Sequence, residues 1–318
     1  MADLYSLFDD VSQRRTEEAL ERFGQLDIPA GGPIVEEGEQ NDSMLFIERG
    51  EVVVTVGGFE VARMGPGSII GEIGLFTQAV RTATVHAATE TVLQVLSRRS
   101  FIDLRLSGNP VAFRIERRAI EQLGARFRAL VRDVIGVARK SPTMLLPPRK
   151  GAEYSGHPAP VPPARILSAL QVSSAFSSLE PASLQQISTA MEARSYSASE
   201  TLAAEGRDDG PMYLLAHGQV DCLAPASVGS NVRVATLDPG EVFNLVQHVD
   251  GEPRPVSYEA RDGVIVLSLP QDDVVRYLWA NNLPGSALRI AMIRSLADRV
   301  NQANATFSLA KLLAPEEA

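Results

Sequence analysis

Glu72 and Arg81 lie nine residues apart in the stretch GEIGLFTQAVRTATV, residues 71–85, whose frame is otherwise small or apolar. A guanidinium can fork onto a phosphate through paired, charge-assisted hydrogen bonds. A carboxylate beside that anion is repelled unless neutral donors bond to it, and sugar hydroxyls are such donors. Gly71 and Gly74 let backbone N–H groups come close to a ligand, and the start of a short helix favours an anion. One pocket with an arginine for phosphate and a carboxylate for hydroxyl suits a ribose phosphate whose phosphate lies near the 2′-hydroxyl. A 3′,5′-cyclic nucleotide has that geometry. The competing account of the same two residues is an internal ion pair at a loop edge.

Either role needs strands to hold the loop, and the chain supplies them twice. EEGEQNDSMLFIERGEVVV from Glu36 and AEGRDDGPMYLLAHGQVDCL from Ala204 share a Glu-Gly pair followed twelve residues later by another glycine, Gly38 to Gly50 and Gly206 to Gly218. A short apolar strand lies between, over Met44–Ile47 and Met212–Leu215. MGPGSIIGE around Gly67 matches LDPGEVFNL around Gly240, with five extra residues near APASVGSNV, so an internal duplication is the economical explanation. Each half opens with a polar helical stretch, Thr16–Gly24 and Pro181–Glu192. β-branched runs broken by Gly and Asp turns follow, such as EVVVTV and ATVHAATETVLQVL. A long helix then closes each half. Phe113, Ile120, Leu123, Phe127, Leu130, Val134 and Val137 mark an apolar stripe in the first. Ile293, Leu296, Val300, Ala303, Phe307 and Ala310 mark one in the second. Such stripes suit a helix packed on its own domain or a seam between two chains. Residues 141–164 hold seven of the 20 prolines and read as an extended, semi-stiff linker unable to form a helix or a central strand.

The chain's 318 residues allow two domains with separate cores. A formal charge of −9 argues against a broad nucleic-acid surface, though not against a pocket for one small anion. Cys222 is the only cysteine, so there is no disulfide framework, and His86, His157, His217 and His248 show no metal-ligand spacing. The acidic start MADLYSLFDD lacks an apolar signal region, and no apolar run is long enough to span a membrane, so a soluble cytoplasmic protein is expected. GPGSIIG lacks dinucleotide-loop spacing, and no nucleophile elbow or phosphate-binding Walker loop is present. No catalysis, metal or cofactor is expected.

GEIGLFTQAVRTATV resembles the phosphate-binding cassette of cyclic nucleotide-binding domains. These occur in catabolite-activator-type regulators, in regulatory subunits of cyclic-nucleotide-dependent kinases and in cyclic nucleotide-gated channels. The resemblance covers most of both halves, and Gly38, Gly50 and Gly67 support it. It implies a mainly β fold with helices, two tandem rolls of the double-stranded jelly-roll type, each closed by a long C-terminal helix. The expected divisions are residues 1–140, the linker 141–164, and 165–318. Carried over, Glu72 would accept the ribose 2′-hydroxyl and Arg81 would bind the cyclic phosphate. Backbone groups of Gly71, Ile73, Gly74 and Ala83 would line the phosphate end, with Thr82 facing phosphate and base. Thr82 fits cAMP or cGMP. Such domains convert occupancy into a shift between two packings.

The second copy, NLVQHVDGEPRPVSY, has Asn244 at the place of Gly71 and Leu245 at that of Glu72, with Arg254 in register with Arg81. Leucine cannot accept a hydroxyl, so this half is expected to bind no cyclic nucleotide. Arg254 is then a vestige, satisfied by Glu252 or Glu259. Only SLAKLLAPEEA follows Phe307, too short for a DNA-reading helix-turn-helix, and Arg114, Arg117, Arg118, Arg126, Arg128 and Arg132 are expected on a solvated helix face. About 20 residues precede the first roll, and no kinase partner is inferred. The expected partners are a cyclic nucleotide, a second copy joined through the long helices, and a further protein, with neither DNA nor membrane. The alternatives are a ligand-free dimerisation scaffold or a transcription regulator without its own helix-turn-helix.

Overall fold

β-branched runs form the strands, and glycines at positive φ turn the chain between them. The computed structural model describes residues 8, 10–40, 42–77, 80–147, 156–227 and 229–313; the side chains of Glu72, Pro142 and Leu313 lie outside that description. The chain divides into two compact units, residues 1–119 and 120–318.

Unit 1 runs α1 (Gln13–Leu20), β1 (Phe23–Ile28), β2 (Pro33–Val35), β3 (Ser43–Arg49), β4 (Val52–Val56), β5 (Phe59–Met64), β6 (Ile69–Ile70), α2 (Glu72–Thr77), β7 (Thr84–Ala87), β8 (Thr91–Ser97), α3 (Arg98–Leu106) and the start of α4 (Pro110–Ala138). Its strands pair antiparallel in two sheets, β1-β8-β3-β6 and β2-β7-β4-β5. Val35, Val52, Val54 and Val85 from one sheet meet Leu45, Ile47, Ile70 and Leu93 from the other in the core, each side chain contributing about 1.5–3 kcal/mol on burial. The helical stretch expected from Thr16 to Gly24 ends early, because Phe23 already enters β1 opposite Leu96.

Unit 2 takes the rest of α4, a 3-10 turn at Pro142–Met144, β9 (Leu145–Leu146), β10 (His157–Pro158), α5 (Pro163–Val172), α6 (Pro181–Ser188), β11 (Glu192–Tyr196), β12 (Thr201–Ala203), β13 (Met212–His217), β14 (Val220–Ser227), β15 (Ser230–Leu237), β16 (Val242–Phe243), α7 (Val246–Asp250), β17 (Ser257–Ala260), β18 (Val264–Leu269), α8 (Gln271–Trp279) and α9 (Leu283–Leu313). The sheets are β10-β11-β18-β13-β16 and β12-β17-β14-β15-β9. Glu192, expected in the helix, instead opens β11 opposite Ser268.

Equivalent turns repeat. Gly31 and Ser199, Gly38 and Gly206, Gly50 and Gly218, and Gly67 and Gly240 all hold positive φ. Their amides make matching bonds: Gly67 donates to Ile47 and Gly240 to Leu215, each at 2.8 Å. The duplicated rolls with long closing helices are therefore as expected.

The described parts of 141–164 behave differently from a free linker. Leu145 and Leu146 pair with Val232 and Asn231, and His157 and Pro158 with Ser195 and Arg194, each pair extending an outer edge of a unit 2 sheet. Proline bars a central position, but an edge strand needs bonds on one side only. Both helical stripes are also largely covered within the chain. Ile120, Leu123, Phe127, Val131 and Val134 are at most 1% exposed, and α9 is buried almost all round from Gly285 to Val300. Most of the apolar residues that a dimer seam along these helices would use are thus covered within the chain, while Phe113, Leu130, Val137 and Phe307 of the stripes stay half-buried.

Candidate functional site

Gly71 follows β6 and precedes α2 with φ +79°. That conformation costs an L side chain about 1–2 kcal/mol, and a methyl group there would overlap the Arg81 guanidinium. Glycine is thus required on two counts. Leu75 N–H donates to the Gly71 carbonyl at 3.1 Å as α2 begins. Ile73, Gly74, Leu75 and Phe76 are buried, with Phe76 packed edge-on against Phe101 of α3 at 5.0 Å. Arg98 of α3 donates to the Leu75 carbonyl at 2.9 Å.

Arg81 is only 4% exposed. Its backbone is bracketed by the turn at Gly38: Arg81 N–H donates to Glu39 and Gly38 N–H donates to Arg81, both at 2.8 Å. Its Nη2 donates to the Ser43 carbonyl at 2.9 Å and approaches the Ser43 hydroxyl at 3.4 Å, fixing the guanidinium plane at the start of β3. Thr82 is half-buried, Ala83 is buried, and β7 follows. The fold thus brings Gly71 and Arg81 into contact and sets Ile73 and Gly74 on α2, while the Glu72 side chain falls outside the described residues. Ser43, which orients the arginine, was missed by the sequence reading, since a backbone acceptor carries no residue-type signal.

In unit 2 the same backbone bracket surrounds Arg254: Gly206 N–H donates to it at 3.0 Å and Arg254 N–H donates to Arg207 at 2.7 Å. The side chains differ. Asn244 holds φ +62°, one of the few residues besides glycine that tolerates it. Its Nδ2 donates to the Pro211 carbonyl at 2.6 Å, the acceptor in register with that of Ser43. Arg254, 2% exposed, donates instead to the Asp209 carbonyl and lies 3.9 Å from that residue's carboxylate. Asp209 is thus an acid facing Arg254 that the residue pattern did not point to. Hydrogen bonds from Arg207, and to a lesser extent the Arg254 charge, hold the Asp209 carboxyl below its ordinary range. Leu245 is buried at the head of α7. Burial, assisted by Arg254, pushes His248 down to about 4.

The arginines of α4 are not uniformly solvated as expected. Arg114 pairs with Asp10. Arg128 forks onto Asp250, Nε to Oδ2 at 2.6 Å and Nη2 to Oδ1 at 2.8 Å, and also donates to the carbonyls of Glu252 and Pro253. It thereby grips the turn that leads into Arg254. Among the described residues no group of His, Cys, Asp or Glu could hold a metal, and no helix is long and apolar enough to cross a membrane. Burial pushes the Cys222 thiol up to about 12, which keeps it protonated.

Residues 25–107 and 193–281 match the family model described as cyclic nucleotide-binding domain. The chain belongs to that family. A cyclic nucleotide-gated potassium channel of Rhizobium etli is 38% identical over 118 residues, covering 37% of this chain and 33% of that protein. A cAMP-dependent protein kinase regulatory subunit of Yarrowia lipolytica is 23% identical over 272 residues, 86% of this chain and 58% of that protein. The chain thus spans between a third and three fifths of these relatives' lengths. Among solved structures, the regulatory subunit of a cAMP-independent protein kinase A from Trypanosoma brucei is 15% identical with a TM-score of 0.35, covering 86% of this chain and 82% of that one. Both family matches enclose a cassette, Gly71–Val85 and Asn244–Tyr258, so the two cyclic nucleotide-binding domains coincide with the two copies.

Proposed function

We propose that the first cyclic nucleotide-binding domain is a sensor for cAMP or cGMP and that the second has given up ligand binding for a structural role. The protein is then a non-catalytic regulator. The carrying observation is the contrast between two otherwise matching arginines. Arg81 is a buried guanidinium oriented by a backbone carbonyl over a glycine that leaves it room, whereas Arg254 lies 3.9 Å from the Asp209 carboxylate and the glycine's place is taken by Asn244, whose amide binds the Pro211 carbonyl. Glu72 takes the 2′-hydroxyl, the backbone of Gly71, Ile73, Gly74 and Ala83 lines the phosphate, and Thr82 faces the phosphate and base. The output passes along α4, which begins in the first unit and ends in the second. Its recipient is another protein. The match to a kinase regulatory subunit over 86% of the chain makes a kinase catalytic chain the first partner to try.

Calorimetry on the full chain with cAMP, cGMP and a cyclic dinucleotide tests this. A fragment ending near residue 140 would not serve, because Ile120–Ala138 belongs to unit 2. One mononucleotide should bind per chain, and Arg81→Ala should weaken it by about 2–5 kcal/mol, the cost of leaving a desolvated charge without its partner. Binding unaffected by that substitution, or two equivalents per chain, would reject the assignment.

A further inference from the structure

The two rolls differ at one sheet edge. In unit 2, β15 carries β14 on one side and β9 on the other, with Asn231 opposite Leu146 and Val232 opposite Leu145. The matching strand of unit 1, β5, ends its sheet and, among the described residues, pairs with β4 alone. Phe59 is 74% exposed and Val61 49%. A free strand edge carrying large apolar side chains is a template for further pairing. The register of β5 breaks between Val54 and Thr55, where Val61 is the extra residue, and that of β15 breaks at Val234, the equivalent position. β9 pairs with β15 at Asn231 and Val232, ahead of that bulge, so the start of the equivalent strand edge accepts a further strand in unit 2.

The residues of β5 indicate which strand. Phe59-Glu60-Val61-Ala62-Arg63-Met64 is chemically symmetric about its centre. Laid antiparallel on itself, Phe59 meets Met64, Glu60 meets Arg63, and Val61 meets Ala62. Every pair is apolar with apolar or acid with base, the combinations that stabilise cross-strand neighbours. Backbone geometry agrees. Gly57 and Gly58, both at positive φ, join β4 to β5 in a two-residue turn, so Val56 and Phe59 bond to each other and alternation turns the amides and carbonyls of Glu60 and Arg63 outward. Those are the two residues that the symmetric register brings face to face. Because both strands carry the same bulge, the spacing of these groups matches on the two sides.

We propose that β5 is a homodimer edge, two copies pairing antiparallel through Phe59–Met64 about a two-fold axis between Val61 and Ala62. The contact is isologous and joins two four-stranded sheets into one of eight. In the single chain Glu60 and Arg63 bond to each other, Nε to Oε1 at 2.9 Å, an exposed pair of small worth that can be redirected to the partner.

Sedimentation velocity on the full chain over a concentration series tests the proposal without nucleotide, so its outcome is separate from that of the sensor assignment. The wild type should show a reversible monomer–dimer equilibrium. Arg63→Glu or Glu60→Arg sets like charges opposite each other at both ends of the pairing and should raise the dimer dissociation constant at least about tenfold. The double exchange Glu60→Arg with Arg63→Glu should restore it, with unchanged thermal melts showing that all the variants fold. A wild type that stays monomeric at the highest soluble concentration would overturn the proposal. So would a dimer indifferent to the single reversals, or one that the double exchange fails to restore.

Discussion

Gly71 and Asn244 solve one backbone problem in two ways, and the difference separates stability from ligand binding. Both hold left-handed φ, +79° and +62°, but only glycine leaves space for the neighbouring guanidinium. Gly71→Ala should therefore cost about 1–3 kcal/mol of stability through φ and overlap together, and should weaken nucleotide binding. Gly71→Asn should cost less backbone strain yet abolish binding, because an asparagine amide would take the Ser43 carbonyl as Asn244 takes that of Pro211. Denaturant melts read the first effect and calorimetry the second. If Gly71→Asn bound nucleotide normally, the room above residue 71 would have no part in orienting Arg81.

At the scale of elements, the strands and their turns were legible because glycine spacing and β-branched runs are local signals. The long helices were legible as helices but not as neighbours. An apolar stripe states that a face is buried and not what buries it, so the covering of α4 and α9 within the chain could not be read beforehand. Proline content likewise excluded a central strand over 141–164 but did not reveal that Leu145–Leu146 and His157–Pro158 would extend sheet edges. Arg128 was one arginine among six on its helix, and nothing local distinguished it. Its fork onto Asp250 and the two turn carbonyls ties α4 to the end of α7, with Gly124 facing Val246 at the same helix. Arg128→Ala should lower the unfolding free energy by about 1–3 kcal/mol, more than an exposed ion pair would, since a largely buried cation also loses carbonyl acceptors. Arg128→Lys should recover little, because an ammonium cannot reproduce the fork. Urea melts of the three proteins decide it; full recovery by lysine would reduce Arg128 to a point charge.

For the whole molecule, the buried Arg254 is a charge that the fold must carry, and this shows in how stability depends on pH. Arg254 lies 3.9 Å from the Asp209 carboxylate, and His248 is pushed down to about 4 by burial and by the Arg254 charge. A histidine depressed in the folded state is protonated more readily once the chain unfolds, with an unfolded value near 6.5. Its contribution is therefore intact above pH 6.5, declines as pH falls through the window, and is fully lost below about 4. The span corresponds to about 3 kcal/mol at most. Asp298 works in the opposite sense, because burial raises its carboxyl and protonation then favours the folded state. Subtracting the stability profile of His248→Gln from that of the wild type isolates the histidine from Asp298 and the other carboxylates. The difference should be flat above pH 6.5 and should open steadily towards pH 4, the variant becoming relatively more stable. A difference that stays constant across that range would mean that His248 is solvated and that the second cassette is open rather than closed.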